Sequence, residues 1–352
     1  MAPSGKREPR AFNYRAGVRV AGTILACDAT AGSDLIFLSH AWALDARAAR
    51  ALPRARHGRR QILTTETTLA LLGAPGARLR AHALLAGLGR PFALGELRLE
   101  LFASGHAPGA ASLVCEIGAG GRRVIYAGVL GAGDTPAVRP ADALCVDATF
   151  GAPRFAFPPA AEALADLRRL VVDALAGGHA PLVLLEPSAS ALVAAALVEA
   201  GVAVRGARPI VQVAAAHARA GLTVPPVQRW DGKLRPGEAL LWPADAREAR
   251  QLGRLESPVT ILVSGRAREP GELARVRAEH GVPLSDRADF AGLLRYVEAT
   301  GAREVALLRA PGDELAGALR ARGVDAYPLG PPRQIALFSG GPDTPAHVVS
   351  AV

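Results

Sequence analysis

The chain has 352 residues, half of them hydrophobic, and carries 41 Lys and Arg against 32 Asp and Glu, a formal charge of 41 − 32 = +9; this length allows two domains with a sizeable core. No apolar run reaches the roughly 18 to 20 residues of a membrane span, and the basic start MAPSGKREPRAFNYR is not followed by the apolar stretch of a secretory signal. The three cysteines, Cys27, Cys115 and Cys145, are far apart and form no CxxC, which argues against a disulfide framework or a structural zinc and fits a cytoplasmic, reducing setting.

After a basic tail over residues 1–15, residues 16–38 alternate like two strands, GVRVAGTILA and DLIFL, joined at the turn Thr30-Ala-Gly-Ser33. Residues 45–52 read as helix, Gln61-Ile-Leu-Thr64 as strand and Glu66 to Leu72 as a short helix. A β-rich run follows, with Leu97–Phe102, Ser112–Ile117, Val124–Ala127 and Leu144–Asp147 separated by Gly-rich turns. From about residue 158 the pattern changes. Long Ala/Leu helices (159–176, 188–200, 211–220) alternate with short apolar strands (182–185, 259–263), which predicts βα units and a parallel sheet. Residues 285–328 predict helix, strand at Glu304–Leu308, helix and a last strand, and 339–352 read as a loose Pro/Gly-rich tail. The pattern predicts an α/β protein whose first domain (16–151 and 266–338) is interrupted by an inserted βα domain at 152–265.

A set of short phrases then points to a family. Asp28 stands at a strand end. SHAWALDA (39–46), ASGHAPGAAS (103–112), RVIYAGVLGAG (123–133), CVDATFGAPRFAFP (145–158), ILVSGRARE (261–269) and LSDRADFAGLLRYVEATGAREVALLRA (284–310) follow it in order. Their sequence and spacing resemble the β-CASP branch of metallo-β-lactamase-fold nucleases, nearest to bacterial exonucleases that are ligase-associated or related to mRNA 3′-end processing. The resemblance implies an αββα sandwich with an inserted β-CASP-like domain, and a pair of zinc ions that activates water against a phosphodiester.

The chain departs from the implied ligand set at most positions. His40 and His106 are kept. Trp42 stands at the second His of the HxHxDH phrase, Leu44 at its Asp and Asp45 at its last His. Val129 replaces the bridging Asp, Arg309 the final His, and Arg287 the His of the SDHAD phrase. A guanidinium has no lone pair and repels a cation. The expectation is therefore no bound cofactor, the alternative being a weak mononuclear zinc on His40 and His106. Non-metal roles expected for the survivors are hydrogen bonds at the strand end for His40, orientation of the Gly105–Gly109 loop for His106, and acceptance of backbone N–H bonds by Asp28 and Asp147.

The substitutions also move charge. Arg287, Arg309 and Arg266 are expected to converge on the old metal cleft, either as phosphate-binding groups or paired with Asp286, Asp289 or Glu304. EPSASALV (186–193) stands where active members carry a Gly-Lys/Arg-Ala-Gln phrase, which weighs against nucleic-acid binding and favours a partner-binding or structural role. The expected function is that of a catalytically inactive exonuclease-like protein that binds nucleic acid or an active nuclease, DNA ligase or helicase partner. Two alternatives stand beside it: a metal-dependent DNA or RNA exonuclease with an atypical site, and a structural assembly protein.

Overall fold

The computed structural model describes residues 9–44, 48–49, 52, 60–118, 121–133 and 136–331. Within them, strands whose successive side chains point to opposite faces form two sheets packed face to face. The first has six strands in chain order: Phe12–Tyr14, Val18–Val20, Leu25–Cys27, Leu35–Phe37, Gln61–Thr64 and Ala83–Leu85. The second has seven, in the order Asp325–Leu329, Glu304–Leu308, Ala143–Asp147, Arg123–Gly128, Ala111–Ile117, Leu97–Ala103 and Phe92–Leu94. Phe12, Phe37 and Leu63 of the first share one core with Leu99, Leu113, Tyr126 and Ala306 of the second. Alternate residues face the other way. Ile125, Leu144, Val305 and Leu307 pack beneath helices Phe290–Thr300 and Glu314–Arg320. Ile36 and Ile62 meet Leu69 and Leu79 of helices Glu66–Leu71 and Ala74–Leu79. The layers thus run helix, sheet, sheet, helix.

A third sheet of six strands is entirely parallel, in the order Gln228–Arg229, Ala203–Gly206, Glu238–Pro243, Ala180–Leu185, Pro258–Val263 and His280–Val282. Its central strands are continuous apolar runs because both faces are covered, with helices Ala160–Ala176, Ser190–Glu199 and Arg208–Arg219 contributing to one core. This unit is inserted between two strands that are themselves parallel neighbours, Ala143–Asp147 and Glu304–Leu308. Asp147 and Arg309 are therefore brought side by side at one end of the second sheet although 162 residues separate them.

Two boundaries differ from the sequence expectation. Part of the expected basic tail belongs to the fold: Phe12 is buried and the Ala11 N–H donates to Glu304 Oε1 at 2.9 Å. The third sheet runs past residue 265, because His280–Val282 pairs with Pro258–Val263 and Val282 and Leu284 join its core. A three-residue strand containing Gly is too short to announce itself by alternation. Of the helix expected at 45–52 only residues 48, 49 and 52 are described, and the expected tail 339–352 and residues 332–338 lie outside the described residues. No helix among the described residues is long and apolar enough to cross a membrane.

Candidate functional site: a cavity between the lobes

The substituted metal positions come together. A cavity of about 920 Å³ gathers His40, Trp42, Leu44, Val129, Arg287 and Arg309. An adjoining cavity of about 440 Å³ shares His40, Trp42 and Arg287 and adds His106 and Arg266. Asp45 lies outside the described residues. Two residues at strand ends aim into the larger cavity from left-handed backbone, Asp28 at φ 46° and Arg309 at φ 54°. Non-glycine residues adopt this region at a cost, and such strain gathers at functional sites.

Asp28 is the hub of a hydrogen-bond network. The Ser39 N–H donates to Oδ1 at 2.8 Å, the Ser39 hydroxyl to Oδ2 at 2.6 Å, and the Tyr126 hydroxyl to Oδ2 at 2.8 Å. Ser39 Oγ also lies 2.8 Å from His40 Nδ1. Its hydrogen is committed to Asp28, so His40 Nδ1 is the donor and Nε2 carries the lone pair. Burial lifts the Asp28 carboxyl above its ordinary range against the pull of these hydrogen bonds. Burial likewise holds Tyr126 protonated.

His106 is set by its loop. The hydroxyls of Thr65 and Thr68 donate to the Gly109 carbonyl at 2.7 and 2.8 Å, fixing the turn after it. Gly131 packs on the other side, where an added Cβ would meet the Gly105 carbonyl oxygen. His106 Nδ1 lies 3.3 Å from the Asp286 carbonyl oxygen, and its ring meets that of His40 edge to face at 5.0 Å.

Each of the three arginines has a carboxylate partner, and in only one case is it a residue that the sequence suggested. Arg309 Nε donates to Asp147 Oδ2 at 2.6 Å, and Asp147 also accepts from the Thr149 N–H at 2.9 Å. Arg287 Nη2 donates to Glu186 Oε2 at 3.1 Å, with Asp286 flanking at 3.8 Å. Arg266 pairs with Glu269 at 3.1 Å. Asp289 is engaged elsewhere, accepting from the Gly292 N–H at 2.7 Å to cap a helix. Glu304 is also taken, by Ala11, by the Tyr327 hydroxyl at 2.7 Å and by Arg122. Asp147 and Glu186 could not be read from the sequence because they belong to distant segments, whereas Glu269 lies only three residues from Arg266.

The zinc pair that the family resemblance implies needs donors that the described residues of this cavity do not supply. A catalytic zinc takes three protein ligands and one open position. His40 and His106 offer two imidazole nitrogens. Among the described residues no cluster of three His, Cys, Asp or Glu side chains suited to a metal is present. Asp28 is engaged by three donors and Asp147 by a guanidinium. Trp42, Leu44 and Val129 bring no lone pair. These residues do not fit a pair of zinc ions.

Sequence reasoning missed Ser39, Tyr126, Glu186, Ser188 and His217. Ser39 and Tyr126 lie within the quoted phrases, but their role depends on Asp28 being the shared acceptor. Glu186 and Ser188 reach the site from the third sheet. His217, on helix Arg208–Arg219, stacks on Trp42 with ring centroids 6.0 Å apart and an interplanar angle of 25°.

Burial, aided by His106, Arg287 and Arg309, holds the His40 imidazole well below its ordinary pKa of 6.5. The neutral ring is thus the native form. As pH falls below about 6.5 the unfolded chain binds a proton that the folded one refuses, so this group removes up to about 1.4 kcal/mol of stability per pH unit until the folded pKa is reached. Urea unfolding at pH 7, 6 and 5 checks this, and His40→Gln should flatten the slope.

Fold and site together define a mixed α/β protein with a histidine- and arginine-lined cavity in the sandwich that adjoins a second cavity shared with the inserted lobe. No family model matches the chain. It is similar to a probable DNA ligase of Opitutus terrae (strain DSM 11246 / JCM 15787 / PB90-1), 27% identical over 245 residues, which is 68% of this chain and 24% of that protein. The chain thus spans about a quarter of that relative's length. It shares a fold with the crystal structure of a protein of unknown function from Enterococcus faecalis V583, with a TM-score of 0.51 and 14% identity over 78% of this chain and 74% of that one.

Proposed function

We propose that the chain is a non-hydrolytic member of the metallo-β-lactamase-fold β-CASP nuclease group, acting in the cytoplasm as a nucleic-acid-binding module beside an active nuclease, DNA ligase or helicase. The observation that carries this reading is the replacement of lone-pair donors by Trp42, Leu44, Val129 and Arg309 around one cavity, while Arg287 and Arg309 place two permanent cations there. The helix-sheet-sheet-helix layering and the insertion between neighbouring strands support the sandwich with a β-CASP-like insert. The similarity to a protein named as a probable DNA ligase supports a DNA-related setting.

Guanidinium binds phosphate through two parallel N–H bonds and needs no metal. A fluorescent single-stranded oligonucleotide should therefore bind with marked salt dependence and remain uncut in Zn²⁺ or Mn²⁺. Arg287→Ala with Arg309→Ala should weaken binding and lower the log–log salt slope by about 1.4, because two phosphates of a single strand then keep their counterions. EDTA-sensitive cleavage would point instead to an atypical exonuclease using the His40–His106 pair. Binding unchanged in the double variant would remove the cavity from the interaction, and no binding at all would leave a structural role.

A further inference from the structure

The two cavity arginines, Arg309 with a 62% exposed and Arg287 with a 22% exposed side chain, differ in the carboxylate that holds each. Arg309 is held by Asp147, whose side chain is only 3% exposed and is fixed at the strand end by the Thr149 N–H. Arg287 is held by Glu186, whose side chain is 54% exposed. Glu186 directly follows strand Ala180–Leu185 of the third sheet and reaches across to the sandwich at 3.1 Å. A second carboxylate near Arg287, that of Asp286, stands 3.8 Å away and is already engaged by the Ser188 hydroxyl at 3.2 Å. Asp286 also faces His106 Nδ1 at 3.7 Å.

We infer that Glu186 is an internal counter-anion that occupies the phosphate position on Arg287, so that a nucleic-acid phosphate must displace it to bind. This rests on the phosphate-binding reading above and names the residue that sets the affinity of that site. With its carboxylate in water, this half-exposed carboxylate–guanidinium pair is worth little, whereas phosphate meets the guanidinium fork with two charge-assisted bonds. The exchange is therefore favourable but opposed by the carboxylate that it releases, which stays at the cavity wall as a like charge. Glu186 also ties the third sheet to the sandwich, so phosphate binding on Arg287 loosens one bond between the lobes. The neighbouring Ser188–Asp286 bond remains.

The test is the affinity of the full chain for a short single-stranded DNA oligonucleotide, by fluorescence anisotropy at fixed salt. Glu186→Gln should tighten binding about threefold to fivefold, the factor that an exposed ion pair represents, and Arg287→Ala in the same chain should abolish the gain. Glu199→Gln supplies the control, since it makes the same charge change at an exposed residue at the opposite end of helix Ser190–Glu199. If wild type binds and Glu186→Gln binds no more tightly, the inference is wrong while the phosphate-binding reading stands. An equal gain in Glu199→Gln also overturns it, because net charge alone then explains the effect. No binding by any variant overturns both.

Discussion

Asp28→Ala is expected to lower the free energy of unfolding by roughly 3–5 kcal/mol, since hydrogen bonds to a charged group contribute about 1.5–3 kcal/mol each and orphaned buried donors add a penalty. Three donors converge on this carboxylate, and the Tyr126 ring that supplies one of them is buried in the core between the two sheets. Alanine would also have to adopt φ near 46°, a region where a non-glycine side chain crowds the backbone, at about 1–2 kcal/mol. Asp28→Asn should cost far less. Asn tolerates left-handed backbone and keeps one acceptor oxygen, while the Ser39 and Tyr126 hydroxyls can turn to accept from its amide. Urea denaturation of the three proteins at pH 7 gives the comparison. Equal losses for Ala and Asn would mean that charge, not the hydrogen-bond geometry and backbone, is what Asp28 supplies.

Trp42→Ala is the second large effect, roughly 2–3 kcal/mol from the loss of a partly buried aromatic side chain. Trp42 stands where the resembled family has a metal-ligating His. It stacks on His217 of the inserted lobe and packs with Ala41, Leu71 and Ala216. His217 is itself buried and anchored to its own helix by Nδ1, 2.8 Å from the Val213 carbonyl. Losing the indole therefore opens a gap between lobes that the helix cannot fill by a simple rotamer change. Hydrogen exchange should accelerate along helix Arg208–Arg219 in Trp42→Ala and stay close to wild type in Trp42→Phe. Unchanged exchange in the alanine variant would show that the stack does not hold the lobes together. The position that suits a cation in the resembled family here joins two bodies by apolar packing.

The sequence by itself determined the main strands of the second sheet, the helices of the insert and much of the site's composition, while short strands such as Ala203–Gly206 and Ala83–Leu85 and the central strand Glu238–Pro243 became evident only in the fold. The alternation of Leu97, Leu99 and Leu101 with Arg98 and Glu100 marks a strand with one face in a core, and the apolar run Val124–Ala127 a strand covered on both faces. The apolar runs between Ala/Leu helices required a parallel sheet buried on both faces. That Trp42, Leu44, Val129 and Arg309 bring no metal-binding lone pair is a property of the residue types alone. Only the tertiary structure decided which partners these residues meet. Arg309 found Asp147 because the insertion brings two distant strands into parallel register. Arg287 found Glu186, 101 residues away on the other lobe, beside the expected Asp286 and in place of Asp289 or Glu304. Hydrophobic periodicity is a local signal, repeated every two or three to four residues. An ion pair or a ring stack is set once, by the docking of elements that share no local pattern.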